Sequence, residues 1–161
     1  MSVIEGRRFA LAAEERERVM AALSQMLAEA PDVVCAFVHG SFLRDTPFHD
    51  IDVAILFDPE AVAQNPAQIS RRALDLAEQL EAAAFGDGPR RPHPPIDVRA
   101  LNKAPLGFCY EVLRQGRLLS NRDDAVRTRW TAEVVSRYLD IKPLFERALK
   151  EAMTTWSSTS T

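Results

Sequence analysis

The run Val38-His39-Gly40-Ser41, followed by Asp50-Ile51-Asp52-Val53, constrains this chain more than any other stretch. A Gly-Ser pair closes one apolar run, and two carboxylates two residues apart open the next. Residues two apart on a strand share a face. Asp50 and Asp52 are therefore expected side by side, with Ile51 and Val53 turned into a core. Parallel carboxylates repel one another unless a cation lies between them. Mg²⁺ is the natural candidate, a hard ion that takes one or two carboxylates together with substrate phosphates. Gly40 has no Cβ, so a phosphate chain can approach the backbone closely. Ser41 offers a hydroxyl, and its N–H starts a short helical turn that favours anions. The pattern reads as a nucleotide-and-metal site.

The flanking sequence supplies a scaffold. Val19, Met20, Leu23, Met26, Leu27 and Ala30 recur at helical spacing, which predicts an amphipathic helix over about 14–30, stopped by Pro31. Residues 33–38 form a continuous apolar run, read as a buried strand. A second strand is expected over 50–57, ended by Asp58-Pro59. A second helix is expected over 66–84, with Pro66 in its first turn. The Gly- and Pro-rich segment 86–95 reads as loop, and 96–101 as a third strand. This order suggests an α/β sheet covered by helices. Pro105 can open a helix that runs to Gly116, a natural C-terminal stop. A long helix should start near Asp124, with Pro143 kinking or breaking it. Residues 157–161 read as a frayed tail.

Composition excludes several functions. A net charge of −3 gives no electrostatic argument for a nucleic-acid or anionic-membrane surface, and the Arg71-Arg72 and Arg90-Arg91 pairs are small and read as solvated. No stretch approaches transmembrane length, and the first residues carry no apolar leader-like run. Cys35 and Cys109 lack metal-ligand spacing and read as buried reduced thiols, so a cytoplasmic location is expected. At 161 residues, one domain with its core over about 14–150 is the simplest organisation.

Asp97 sits between Ile96 and Val98, so it too points away from its apolar neighbours. Three carboxylates on neighbouring strands could hold two divalent ions about 3.5–4 Å apart, an arrangement that stabilises attacking and leaving oxygens in phosphoryl transfer. Asp50 and Asp52 would bind metal, while Asp97 completes the second site and could help deprotonate an acceptor hydroxyl. His49, beside Asp50, reads as a turn histidine rather than a base. His93, in the Pro-rich loop, reads as exposed and idle. The Trp130 and Tyr138 stripe reads as core or subunit interface.

Gly-Ser, then Asp-x-Asp, then a lone Asp in an apolar strand resembles the nucleotidyltransferases of the DNA polymerase β superfamily. The resemblance extends to the minimal nucleotidyltransferases known as MNT-type or MntA-like antitoxins, over about 33–150. It is carried there by Ile96-Asp97-Val98 with Asn102-Lys103-Ala104-Pro105, by Tyr110–Leu119 read as one helix, and by Tyr138-Leu139-Asp140-Ile141-Lys142-Pro143-Leu144. It implies a polymerase β-like fold of class α/β (α+β), a small mixed sheet flanked by helices with a long C-terminal helix. It also implies a partner, a HEPN-type ribonuclease toxin, and transfer of AMP from ATP to a tyrosine of that toxin. Carried over by position, Gly40, Ser41 and Arg44 would contact the triphosphate, and Asp50, Asp52 and Asp97 would bind Mg²⁺. The chain departs from the pattern in two places. Only eight residues separate Ser41 from Asp50, which shortens the loop bearing Arg44, and His39 replaces a hydrophobic or aromatic residue. Two other functions stay open: an antitoxin acting by steric cover alone, and a small-molecule nucleotidyltransferase of the aminoglycoside-modifying kind.

Overall fold

The computed structural model describes residues 6–44, 47–86 and 92–158. Among these residues four strands, β1 (Val33–His39), β2 (Ile51–Phe57), β3 (Ile96–Ala100) and β4 (Arg117–Asn121), form one mixed sheet in the order β3-β2-β1-β4. β1 runs antiparallel to both β2 and β4, and β2 runs parallel to β3. Among the described residues five α-helices accompany the sheet: α1 (Ala13–Glu29), α2 (Pro59–Gln64), α3 (Ile69–Phe85), α4 (Leu106–Gln115) and α5 (Asp124–Ser158).

Strand alternation divides the interior into two layers. Ile51, Val53, Ile55 and Phe57 of β2 join Leu23 and Leu27 of α1 and Leu76 and Leu80 of α3. The intervening Ala54 and Leu56 face the other way, onto Cys109 and Val112 of α4 and Val134 of α5. Trp130 packs against this second layer, which bears out its reading as core. Both cysteines are buried and free. Each large apolar side chain closed off in this way contributes about 1.5–3 kcal/mol.

Several elements differ from the sequence reading. α4 lies between Pro105 and Gly116 as the residues predict, but the helix over 110–119 that the resemblance implies is divided: α4 ends at Gln115, and residues 117–121 turn back as β4 on the free edge of β1. Gly116 permits this reversal by closeness rather than by a left-handed backbone, since its φ is −74°. A Cβ there would lie 2.5 Å from the Val112 carbonyl oxygen and 3.3 Å from that of Val38. Asp58-Pro59 ends β2 as expected but also starts α2, because the Asp58 carboxylate accepts the Glu60 N–H at 2.9 Å and Pro59 fits the first turn. Residues 66–68 form a 3₁₀ turn, and α3 proper begins at Ile69.

Pro143 does not break α5, which runs through it for 35 residues, roughly 50 Å at 1.5 Å per residue. Proline removes one N–H bond to the carbonyl four residues earlier, and that residue, Leu139, is 52% exposed, so water can take the orphaned oxygen. His93 is not idle: its ring is half-buried and stacks on Phe85, with centroids 4.7 Å apart. Of the loop expected over 86–95, residues 87–91 lie outside the described residues, as do 159–161 of the expected tail. No helix among the described residues is long and apolar enough to cross a membrane.

Candidate active site

Strand register builds the site. His39, the last residue of β1, pairs with Asp52 of β2, and Asp52 pairs with Asp97 of β3. Because Ile51, Val53 and Ile96 occupy the α1/α3 layer, Asp52 and Asp97 project from the α4/α5 face. On that face the C-terminal half of β2 is roofed by α4 and α5, whereas Asp52 is only half-buried and Asp97 is exposed. The carboxylates thus stand at the uncovered end of an otherwise packed sheet face. Asp50 precedes the first residue of β2 and is likewise half-buried.

Charge accumulates there. Burial, and then the neighbouring Asp50 and Asp97 carboxylates, push the Asp52 carboxyl up to about 6, against a partial counterpull from Arg99. Burial and the nearby Arg99 guanidinium hold His39 below the ordinary imidazole range, with Asp97 and Asp50 pulling the other way. The His39 ring meets Phe108 of α4 edge-on at 5.4 Å, and the Arg99 guanidinium lies 4.8 Å over that same ring. His39 is therefore a packed, neutral wall of the site.

Gly40 closes the other side. Its φ is +79°, and a Cβ built on it would lie 2.5 Å from Asp52 Oδ2. Only glycine permits this left-handed turn with a carboxylate pressed against the backbone. Gly40, Ser41, Phe42 and Leu43 make a single 3₁₀ turn, as expected for a strand ending in Gly-Ser. Arg44 follows, exposed, its N–H donating to the Ser41 carbonyl at 3.0 Å.

Sequence reasoning missed what holds this loop. Arg16 of α1 donates through Nη1 to the carbonyl of Phe42 and, at 2.7 Å, to that of Arg44. Its guanidinium also lies 5.5 Å over the Phe42 ring and 5.2 Å over the Phe48 ring. Phe42 and Phe48 are fully buried and meet edge to face at 5.1 Å. Phe48 is further tied to Phe9 by two backbone hydrogen bonds of 2.7 and 3.0 Å. One cation and two aromatic rings thus fix both ends of the short segment joining Ser41 to Asp50. The only signal was an arginine on an amphipathic helix, which reads by default as solvated charge. His49 is a turn residue, its Nδ1 2.9 Å from the Arg7 carbonyl oxygen.

Among the described residues no three His, Cys, Asp or Glu side chains converge closely enough to enclose a metal ion by themselves. The donor set nevertheless suits a hard divalent cation: carboxylate oxygens in adjacent register, one with its pKa raised by burial and then by its acidic neighbours, and an open side on which substrate oxygens can complete the shell. Asp52 and Asp97, with Asp50, are the residues that could hold Mg²⁺.

Comparison with known proteins bears on the fold and the family. No curated protein sequence shows a significant match. The structure is similar to a chain of the complex between tri-AMPylated Shewanella oneidensis HEPN toxin and MNT antitoxin, with a TM-score of 0.53 and 18% identity over 87% of this chain and 97% of that one. It is similar also to a chain of the MntA-HepT toxin-antitoxin, with a TM-score of 0.53 and 17% identity over 88% and 99%. A toxin-antitoxin structure with AMP-PNP gives 0.53 and 18% over 86% and 98%. At these identities the likeness is one of fold. The model of the family described as Polymerase beta, Nucleotidyltransferase matches residues 21–125, a span that contains all three carboxylates and the Gly-Ser turn. The chain belongs to the polymerase β nucleotidyltransferase family.

Proposed function

We propose that this protein is a cytoplasmic, Mg²⁺-dependent adenylyltransferase antitoxin that transfers AMP from ATP to a tyrosine of a HEPN-type ribonuclease toxin. The observation that carries the proposal is the in-register row His39–Asp52–Asp97 with Gly40 pressed against Asp52 at the open end of the sheet. Support for the partner comes from the structures with which the fold is shared, which are described as toxin-antitoxin complexes, one containing a tri-AMPylated HEPN toxin and another AMP-PNP.

In this reading Asp50, Asp52 and Asp97 hold two Mg²⁺ ions, while Gly40, Ser41 and Arg44 line the triphosphate. The bound cations would neutralise negative charge on the phosphates and on the crowded carboxylates. Gly40 lets the Asp52 carboxylate lie against the Gly-Ser turn, and the Ser41 N–H and hydroxyl would donate to phosphate oxygens beside it. Asp97, exposed on the outer strand, accepts the proton of the tyrosine hydroxyl. The phenolic oxygen then bonds to the α-phosphorus, the bond from that phosphorus to the bridging oxygen breaks, and pyrophosphate leaves with the electron pair. Positioning and charge stabilisation supply most of the rate in such transfers.

Incubation with a HEPN-type toxin, Mg²⁺ and ATP labelled at the α-phosphate should label the toxin, whereas label at the γ-phosphate should remain in pyrophosphate. An unlabelled toxin in both reactions contradicts the proposal. Neutralisation by steric cover is a second reading, favoured by the short segment of eight residues between Ser41 and Asp50. It predicts that Asp50→Asn combined with Asp52→Asn still protects cells from the toxin.

A further inference from the structure

The sheet has an open edge beside Asp97. Among the described residues β3 pairs with β2 alone, and its outer side carries no strand. The Pro95 carbonyl accepts the Ile51 N–H at 2.9 Å, and the Leu101 N–H donates to the Ile55 carbonyl at 2.8 Å. Odd-numbered positions therefore turn their backbone groups toward β2, and Ile96, Val98 and Ala100 turn theirs outward. Glu81 of α3 accepts the Ile96 N–H at 2.8 Å, which leaves Val98 and Ala100 to present the outward ladder. A groove of about 550 Å³ runs along this edge, walled by Ser70 and Leu74 of α3 and floored by Val98 and Ala100. Among the described residues its charged lining side chains, Arg99 and Lys103, are both cations. Leu74 is 68% exposed, an apolar wall open to solvent.

We infer that this groove binds the acceptor segment of the partner protein as an added strand, an extended acidic peptide carrying the tyrosine that receives AMP. The identity of the occupant rests on the function proposed above. Exposed edges recruit extended chains through main-chain hydrogen bonds, with side-chain pockets supplying selectivity. A strand added here lies about 4.8 Å from β3, and every second side chain projects from the same face as Asp97. A tyrosine at such a position reaches the carboxylate row from the side opposite β1, where the Gly40–Ser41 turn stands. Nucleotide and acceptor would thus approach Asp52 and Asp97 from different sides, as an in-line displacement requires. Arg99 and Lys103 favour acidic residues flanking that tyrosine.

The test uses a fluorescein-labelled heptapeptide with one tyrosine among valines and glutamates, and the full chain. Its binding should slow hydrogen exchange of the Val98 and Ala100 amides at least tenfold. Leu74→Asp, Lys103→Glu and Ala100→Pro should each weaken peptide binding several-fold while leaving affinity for a non-hydrolysable ATP analogue unchanged. Proline is tolerated at an edge position whose N–H faces outward, and the exposed Leu74→Asp serves if Ala100→Pro folds poorly. With the toxin as substrate, the same variants should raise KM and spare kcat. Unprotected Val98 and Ala100 amides at saturating peptide, or variants with wild-type KM, would overturn the groove even if AMP transfer is real. Protected amides with no AMP transferred from ATP would keep the groove and remove the proposed chemistry.

Discussion

The two faces of β2 are made by one heptapeptide and behave as different materials. Ile51, Val53, Ile55 and Phe57 are buried and meet a continuous apolar layer from α1 and α3. On the reverse face Ala54 and Leu56 are equally buried, but Asp52 lies past the cover of α4 and α5. The closed face sets stability, and the open end of the other face sets chemistry. A sheet can hold crowded like charges only where the opposite face has already secured the strand. The Asp52–Asp97 pair is such a case, anchored from behind by Val53 and Ile96.

The separation can be tested from both sides, and the largest expected effect is on the open end. Asp52→Asn should lower AMP transfer by roughly 10³-fold or more while leaving the melting temperature unchanged or raised. On the closed face Val53→Ala should cost about 2 kcal/mol, a fall of roughly 4–8 °C in melting temperature, with transfer by the folded fraction intact. Thermal melts and single-turnover assays of both variants decide whether the faces are independent. If Asp52→Asn melts well below wild type, the division fails.

Gly40→Ala should come next. The added methyl would sit 2.5 Å from Asp52 Oδ2 and would be held at φ +79°, so the carboxylate must move. A displacement of about 1 Å costs on the order of 10²-fold in rate. Wild-type turnover in Gly40→Ala would show that the turn does not position Asp52. Arg16→Ala should have a smaller effect, about tenfold in transfer with roughly 1–3 kcal/mol of stability, because the Phe42 and Arg44 carbonyls lose their donor. Arg16→Lys should recover only part of both, since lysine cannot reproduce the planar fork over the two rings. Unchanged turnover in Arg16→Ala would separate the loop anchor from the site.

The smallest effect is in pH. The folded Asp52 pKa of about 6 exceeds the unfolded value of 3.8, so between these values the folded state holds the extra proton. Stability of the metal-free protein therefore falls as pH rises through roughly 4 to 6. The loss should be about 1 kcal/mol, because half-exposure lets water screen much of the repulsion. Mg²⁺ should restore it, raising the melting temperature more at pH 7.5 than at pH 5. Equal Mg²⁺ shifts at both pH values would place the cation elsewhere.

The parts of this site legible in the sequence were those governed by strand period. Alternation alone put Asp52 and Asp97 on one face and Ile51, Val53, Ile96 and Val98 on the other. Gly40 was legible as a close approach, although the atom that approaches in the structure is the Asp52 carboxylate. β4 was not legible, because Arg117-Leu118-Leu119-Ser120-Asn121 lacks clean alternation and becomes a strand by pairing with the free edge of β1. α2 was missed although Asp58-Pro59-Glu60 carried its cap, the same residues having been read only as a strand stop. Arg16 was hidden for a different reason. Its role depends on Phe42 and Phe48 folding back over α1, a contact across 26 residues of chain that no local pattern encodes.

The most direct measurement is the intact mass of a HEPN-type toxin that binds this protein, after incubation with it, ATP and Mg²⁺, beside an Asp50→Asn/Asp52→Asn control. The toxin should gain mass in whole AMP units with the wild-type protein and none with the control. An unshifted toxin that still co-purifies with the wild-type protein, or an equal shift with the control, would contradict the proposed transfer.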